Sequence, residues 1–240
     1  MIYTLIFAGG VGQRMNTVSL PKQFLQVHGK EIIVHTIEHF QNNQNIDEIV
    51  VVCVSDYLDF MHELIKKYNL TKVVSVVPGG SNGQESIFNG LDELHKLSTS
   101  DDDIVLIHDG VRPIIDEEII NANIECVKKN GTAITVAKSI ETILVVDDNA
   151  DVQQVVDRSK CYAGRAPQSF YLKDIYGAHL KANAINKHDF IDSAMLMQYY
   201  GFKMHTVLGP INNIKVTTPM DFYMFKAMLD VKENEQIKVK

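Results

Sequence analysis

The sequence has few cysteines and no long hydrophobic run. Cys53, Cys126 and Cys161 are far apart and do not have the spacing of a metal site. An odd number of isolated cysteines is typical of reduced thiols in the cytoplasm. No apolar segment approaches the length of about 18 residues that a membrane span needs, and the N-terminus lacks the basic segment of a signal peptide. We therefore expect a soluble, cytoplasmic protein.

A basic patch is also absent. The 240 residues include 23 Lys and Arg against 30 Asp and Glu, which gives a net charge of −7 and argues against nucleic-acid binding. There is no internal repeat and no low-complexity segment. With 45% hydrophobic residues, a chain of this length can bury one large core. We expect a single domain over residues 1–240.

Two common phosphate-binding loops are missing. A Walker loop requires Gly-Lys-Ser/Thr after its first glycine and four further residues, and the sequence has no such string. A dinucleotide fingerprint requires a third glycine where Met15 stands, and an acidic residue about 20 positions later at the end of a second strand. The next strand pattern, at residues 49–54, comes too late. Both of these nucleotide-binding classes are therefore excluded.

A glycine-rich turn follows the first strand pattern at residues 2–7. Glycines let the backbone turn sharply and bring its N–H groups close to an anion, and a nearby Arg or Lys adds positive charge where a triphosphate would lie. The pattern therefore indicates phosphate binding, and a purely structural turn is the alternative. The residues concerned are Ala8, Gly9, Gly10, Gly12, Arg14 and Lys22.

Strand and helix patterns alternate along the chain. Strand patterns occur at residues 2–7, 49–54, 73–77, 104–107 and 133–136, and helix patterns at 32–40, 57–67 and 86–97. Such alternation is typical of a parallel sheet with crossover helices. We therefore predict an α/β fold.

A second polar cluster, His108 to Pro113, follows the strand pattern at residues 104–107. Ligands collect at the carboxyl ends of strands in open α/β sheets, and Asp109 there could hold a divalent cation against a triphosphate. Arg112 could bind a second phosphate. Alternatively, Asp109 and Arg112 pair with each other or cap a helix that begins near Ile114.

Five strings in order carry a resemblance to a known family. They are A-G-G-x-G-x-R-M at residues 8–15, P-K-Q at 21–23, a Gly-Gly loop at 79–86, H-D-x-x-R-P at 108–113 and N-I-K-x-T-x-P-x-D at 213–221. Together the strings resemble those of nucleotidyltransferases, in particular the cytidylyltransferases that act on 2-C-methylerythritol 4-phosphate or ribitol 5-phosphate. The resemblance covers nearly the whole chain.

The resemblance implies a Rossmann-like, GT-A-like fold with a mixed, mostly parallel sheet flanked by helices. It also implies that CTP and a polyol phosphate are the substrates and that Mg²⁺ or another divalent cation assists. Gly83 stands where the family has an arginine. The implied roles are Arg14, Lys22 and Lys215 as catalytic cations, Gly79, Gly80 and Ser86 around the cytosine, Asp109 at the metal and Arg112 at the acceptor.

Residues of about 138–165 leave the alternating pattern. Two β-prone runs, at 143–146 and 152–156, flank a turn-rich link and predict a hairpin. The resemblance implies that this hairpin is an arm that clasps a second subunit, in which Thr142 and Arg158 reach the phosphate of the partner's acceptor. An ordinary strand threonine and a solvated arginine are the alternatives.

The acceptor side departs from the family. Ala166 and Ile191 replace threonines that would face the acceptor, which bears on the choice of polyol phosphate. Asp192 remains, either as a helix N-cap or as a polar pocket wall.

The resemblance therefore implies transfer of CMP from CTP to an alditol phosphate, with release of pyrophosphate. The strings are more like those of the ribitol 5-phosphate enzymes, whose product, CDP-ribitol, feeds teichoic-acid or capsule polymers in the cell wall. The alternatives are the methylerythritol enzyme of isoprenoid synthesis, another polyol phosphate as acceptor, and a catalytically silent nucleotide-binding module.

Overall fold

The fold is built on one seven-stranded sheet. A computed structural model describes residues 1–10, 15 and 20–234. The sheet contains β1 (Ile2–Ala8), β4 (Glu48–Cys53), β5 (Val73–Pro78), β6 (Ile104–Asp109), β7 (Thr132–Lys138), β10 (Tyr162–Tyr171) and β11 (Thr206–Leu208). Two short ribbons pair β2 (Gln26–Val27) with β3 (Lys30–Glu31), and β8 (Leu144–Val146) with β9 (Val152–Val155).

The strand order is β11-β7-β10-β6-β1-β4-β5. Neighbouring strands are parallel except for β10, which runs antiparallel to both β6 and β7. The predicted mixed, mostly parallel sheet is confirmed. Strand β10 was not predicted, because it has no β-branched residue and contains Gly164 and Pro167, both of which are unfavourable in strands.

Helices cover both faces of the sheet. The helices are α1 (Ile32–Gln41), α2 (Leu58–Lys67), α3 (Gly83–Leu97), α4 (Glu117–Asn130), α5 (Leu172–Ala184), α6 (Ser193–Tyr199) and α7 (Pro219–Asn234). On one face, α1, α2 and α4 pack against side chains such as Ile6 and Val51, while α3, α5 and α6 pack on the other face against Leu5 and Val52. Successive strand residues point to opposite faces, so the apolar runs of β1 and β4 pack against helices on both faces.

Side-chain caps fix where helices α3 and α4 begin. Asn82 accepts a hydrogen bond from the backbone N–H of Glu85 at the start of α3, and Asp116 accepts one from Ile119 at the start of α4, both at 2.9 Å. Such caps satisfy N–H groups that have no partner within the helix. The helix expected near Ile114 therefore begins at Glu117. No helix in the described part of the chain is long and apolar enough to cross a membrane.

The predicted hairpin is present as strands β8 and β9. The Asp147 side chain accepts hydrogen bonds from the backbone N–H groups of Asn149 and Asp151, which closes the turn. Every residue of both strands is exposed, including Val145 and Val155. The ribbon thus presents apolar side chains to solvent.

Two helical glycines give a matched test of core packing. A Cβ on Gly90 would overlap Leu5 Cδ1 and lie 2.7 Å from Val52 Cγ2, whereas nothing lies within 4 Å of one on Gly177. We expect Gly90→Ala to lower the free energy of unfolding by about 1–3 kcal/mol. Gly177→Ala should raise it by about 0.5–1 kcal/mol, because alanine favours a helix. Urea denaturation measures both, and a Gly90→Ala protein as stable as the wild type would contradict this packing.

Candidate active site

Two cavities at the carboxyl ends of the parallel strands share one wall. The larger, of about 630 Å³, is the turn chamber, and the smaller, of about 310 Å³, is the helix chamber. The shared wall consists of Phe7, Asn82, Gly83, Asp109 and Lys215. Ligand sites in open α/β sheets lie at this edge. The two chambers could therefore hold two reactants that meet at the shared wall.

The turn chamber forms where the turns after β1 and β5 approach closely. A Cβ on Gly9 would lie 2.8 Å from Ser86 Oγ, and one on Gly79 would lie 2.9 Å from Gly9 Cα. These positions therefore require glycine. Gln23 Nε2 donates a hydrogen bond to the Ala8 carbonyl at 2.7 Å and supports the first turn, a role that the sequence did not reveal.

Ser86 fixes the second turn. Its hydroxyl accepts a hydrogen bond from Gly80 N–H at 3.0 Å and donates one to the Asn82 carbonyl at 2.8 Å. The predicted residues that line the turn chamber are Ala8, Gly9, Gly10, Lys22, Gly80, Ser86, Asp109 and Lys215. Gly79 does not line it and instead packs against Gly9. The predictions for Gly12 and Arg14 lie outside the described residues.

Asp109 at the end of β6 is buried between two cations. Its Oδ2 lies 2.7 Å from Arg112 Nε, and its Oδ1 lies 2.6 Å from Lys215 Nζ. Burial alone would raise the pKa of Asp109, but the charges and hydrogen bonds of Lys215 and Arg112 outweigh burial and lower the pKa to about 2. The pairing of Asp109 with Arg112, one of the alternatives, is thus present, and Asp109 also lines both chambers.

Three hydrogen bonds bring Lys215 from the far end of the chain to this wall. Val216 N–H donates to the Val111 carbonyl at 2.8 Å, and Arg112 Nη1 donates to the Asn213 carbonyl at 2.9 Å. Asn213 Nδ2 donates to the Ala166 carbonyl at 2.7 Å. Two of the five motifs and strand β10 therefore form one rigid unit.

The helix chamber lies between β10 and helices α3, α5 and α6. Asp192 both caps α6, through Met195 N–H at 2.8 Å, and lines the chamber, where its Oδ2 accepts a hydrogen bond from Gln168 Nε2 at 2.8 Å. Both alternatives for Asp192 therefore hold. Ala166 and Ile191, the departures from the family, also line this chamber. Gln84, Arg165, Gln168 and His179 also line it, and the sequence analysis assigned no role to any of the four.

Thr142 and Arg158 are not brought to either chamber. Both are exposed in this chain, beside the hairpin. Arg158 Nη1 donates a hydrogen bond to the Ile140 carbonyl at 3.0 Å.

The residues around Asp109 fit a divalent cation that is held largely by substrate phosphates. Mg²⁺ is commonly bound by one or two carboxylates together with phosphate oxygens and water. Asp109 keeps lone pairs beyond those that face Arg112 and Lys215. Among the described residues, no group of three or more His, Cys, Asp or Glu side chains forms a self-contained metal site. Asp109 would therefore share the cation with the nucleotide.

Glycine turns that can surround a nucleotide, next to a carboxylate flanked by cations, are the features of a nucleotidyltransferase. Comparison with known proteins narrows this class. The family model described as IspD, 2-C-methyl-D-erythritol 4-phosphate cytidylyltransferase, matches residues 2–231. The chain belongs to this family of cytidylyltransferases.

Curated relatives and solved structures agree with this family. A ribitol-5-phosphate cytidylyltransferase from Streptococcus agalactiae serotype V is 56% identical over 97% of both chains. One from Vibrio parahaemolyticus serotype O3:K6 is 48% identical over 99% of both. The crystal structure of 4-diphosphocytidyl-2C-methyl-D-erythritol synthase from Anaerococcus prevotii is 30% identical, with a TM-score of 0.82 over 95% of this chain and 96% of that one.

The ion pairs of Asp109 predict that the free energy of unfolding decreases at acidic pH. The pKa of Asp109 is about 2 in the folded protein, against an ordinary value of 3.8, because of Lys215 and Arg112. This lowered pKa contributes about 2 kcal/mol of stability above about pH 4, which is lost as the pH falls toward 2. We expect Asp109→Asn to be less stable than the wild type at pH 7 and to lose less stability on acidification.

Urea denaturation at pH 7 and at about pH 3 measures this difference. Asp148→Asn, in the exposed hairpin turn, removes the same charge far from the site and serves as the control. A gap between wild type and Asp109→Asn that stays constant with pH would contradict the ion-pair assignment.

Proposed function

We propose that this protein transfers CMP from CTP to D-ribitol 5-phosphate, giving CDP-ribitol and pyrophosphate. The observation that carries this proposal is the pair of chambers that meet at Asp109 and Lys215. Relatives named ribitol-5-phosphate cytidylyltransferase are 48% and 56% identical to the chain, whereas the named methylerythritol synthase is 30% identical. The product would supply cell-wall teichoic acid or capsule polymers.

CTP fits the turn chamber. Backbone N–H groups of the turn that begins at Gly9 and Gly10 can approach the triphosphate because no Cβ intervenes, and Lys22 adds a positive charge. Gly80 and Ser86 lie where the cytosine would bind. Backbone donors and acceptors of a tight turn can distinguish cytosine from a base that has the opposite pattern. Arg14 stays a prediction for the same triphosphate.

The reaction joins two anions, so neutralisation of charge is its main requirement. A phosphate oxygen of the acceptor attacks the α-phosphorus of CTP in line, and the bond to pyrophosphate breaks. The attacking phosphate is already an anion at neutral pH and needs no general base. Lys215 at the shared wall stabilises the charge on the transition state, and Asp109 holds Lys215 in place. A divalent cation bound at Asp109 would neutralise the phosphates further.

Arg112 has a supporting part in this scheme. Its side chain is buried and bonded to Asp109 and to the Asn213 carbonyl. It lines the helix chamber, where its positive charge would attract the acceptor's phosphate. We propose that Arg112 orients Asp109 and draws the phosphate toward the shared wall.

Release of pyrophosphate from CTP and Mg²⁺ tests the proposed acceptor. We expect release with D-ribitol 5-phosphate and little with 2-C-methyl-D-erythritol 4-phosphate, assayed in parallel at equal concentrations. Release with only the methylerythritol compound would replace the proposal by the activity in the family's description. Release with neither acceptor would contradict both and would leave another polyol phosphate or a silent nucleotide-binding module.

We also propose that two copies of the chain associate through the hairpin. An isolated two-stranded ribbon is marginally stable in water, and this one exposes apolar side chains on both strands. They are Leu144, Val145, Val146, Val152 and Val155. Contact with a second copy would cover them and bring Thr142 and Arg158 to the partner's acceptor.

The free thiols are compatible with the cytoplasm, where we place the reaction.

Arg158 gives the test of this arm. If it binds the partner's acceptor, Arg158→Ala should raise the KM for D-ribitol 5-phosphate about tenfold or more, because a charge-assisted hydrogen bond is lost. The KM for CTP should change little. Steady-state kinetics measures both values.

Lys160→Ala is the matched control, since Lys160 is an exposed cation in the same helical turn. It should leave both KM values near those of the wild type. Equal acceptor KM values for Arg158→Ala and the wild type would show that the arm does not reach the site. Sedimentation of a purely monomeric species would contradict the dimer itself.

A further inference from the structure

The helix chamber concentrates buried polar atoms that have no hydrogen-bond partner. Of ten such side-chain atoms in the described part of the chain, four line this chamber: Gln84 Oε1, Arg165 Nε, and Nδ1 and Nε2 of His179. A buried polar atom without a partner destabilises the protein, because its hydrogen bonds to water are lost and not replaced. Such atoms need an explanation, and a ligand that supplies the missing hydrogen bonds is one.

His179 is the most completely buried of the three side chains. It lies on α5, is only 1% exposed, and its ring centroid lies 6.0 Å from that of Phe88. Burial lowers the pKa of His179 to about 4, so the ring is neutral at pH 7. A neutral imidazole offers one N–H donor and one acceptor nitrogen. Two hydroxyl groups can satisfy the ring, one accepting from its N–H and the other donating to the second nitrogen, whereas a fully ionised phosphate has no proton to donate.

Gln84 and Arg165 complement this ring. Gln84 Nε2 donates a hydrogen bond to the Lys187 carbonyl at 3.0 Å, which leaves Oε1 as an acceptor at the chamber wall. Arg165 contributes a buried N–H donor. Burial and the nearby charge of Arg112 lower the pKa of Arg165, and no carboxylate in the described ranges lies within ion-pair distance of it. The wall thus offers donors and acceptors together.

The position of the reacting phosphate sets the direction of the acceptor. On the proposed function, the acceptor's phosphate must lie at the shared wall by Asp109 and Lys215, where it can reach the α-phosphorus of CTP. Gln84, Arg165 and His179 line only the helix chamber. The rest of the acceptor must therefore extend from the shared wall into the space that these side chains surround.

We infer that Gln84, Arg165 and His179 bind the hydroxyl groups of the polyol chain and so determine which acceptor is used. This inference rests on the proposed two-substrate reaction and adds the part of the site that recognises the acceptor. His179 binds hydroxyls distant from the phosphate, donating a hydrogen bond to one and accepting a hydrogen bond from another. The phosphate itself is bound by the cations of the shared wall and, in the proposed dimer, by the arm of the second copy.

His179→Phe tests this assignment because phenylalanine has a similar shape and no ring nitrogen. We expect the KM for D-ribitol 5-phosphate to rise about tenfold, the effect of losing a hydrogen bond worth about 1.4 kcal/mol. The KM for CTP should not change. The free protein should melt at the same or a higher temperature, since two unpartnered buried atoms are removed. A merely structural histidine would not give this combination.

Two controls separate recognition from packing. His95→Phe changes an exposed histidine in the same helical layer, where its ring stacks on Tyr176 with 4.3 Å between centroids, and should alter neither KM. D-Erythritol 4-phosphate, which is shorter by one CHOH unit, should lose less from His179→Phe than ribitol 5-phosphate does. The preference of the enzyme for the longer acceptor should therefore shrink.

Each outcome decides the inference separately from the proposed function. An acceptor KM within twofold of the wild type, or equal losses with both acceptors, would overturn the role of His179. If the wild type instead uses 2-C-methyl-D-erythritol 4-phosphate, the proposed acceptor is wrong. The same variants then test the inference on that polyol, where an unchanged KM would overturn it.

Discussion

The buried charge of Asp109 is the constraint on which the site depends. A carboxylate in the interior is stable only with partners, and Arg112 and Lys215 supply them at 2.7 and 2.6 Å. Removing either cation would leave the buried carboxylate with a single ion-pair partner. Because Lys215 comes from the C-terminal region, this requirement ties the end of β6 to residues 213–216. It thereby forms the wall that separates the two chambers.

The two chambers have different roles in the proposed reaction. The turn chamber is lined by glycine turns and by polar or charged side chains, which suits the triphosphate and the small base of the proposed substrate. The helix chamber is lined by residues of β10, α3, α5 and α6. Three of these residues, Gln84, Arg165 and His179, have buried polar atoms without a hydrogen-bond partner. In the proposed reaction, the first chamber and the shared wall carry the transfer of CMP, and the second chamber determines the choice of acceptor.

Prediction from the sequence succeeded where the signal is local. The apolar runs of β1, β4 and β6 and the helical periodicity of α1 and α2 predicted a parallel sheet with crossover helices, and the family resemblance predicted that the sheet is mixed. Strand β10 has no such signal, because its ten residues lack β-branched side chains and include a glycine and a proline. Its place in the sheet depends on pairing with β6 and β7, which is a tertiary interaction.

The site shows the same limit. Asp109 and Lys215 lie in recognisable motifs, and those motifs predicted that the two residues belong to one site, as their ion pair shows. The double role of Asp192, as cap and wall, needed the structure, and so did His179, since a lone histidine in a helix is indistinguishable from a packing residue. What sets His179 apart is that it is buried, has no partner and lies beside a chamber. None of these three properties can be recognised in the sequence alone.

The most direct test of this account is a crystal structure of the protein with CDP-ribitol. We predict the cytosine at Gly80 and Ser86, the diphosphate at Asp109 and Lys215, and the ribityl chain in the helix chamber within hydrogen-bond distance of His179. A ribityl chain that points to solvent, with the helix chamber containing only water, would contradict the two-chamber account.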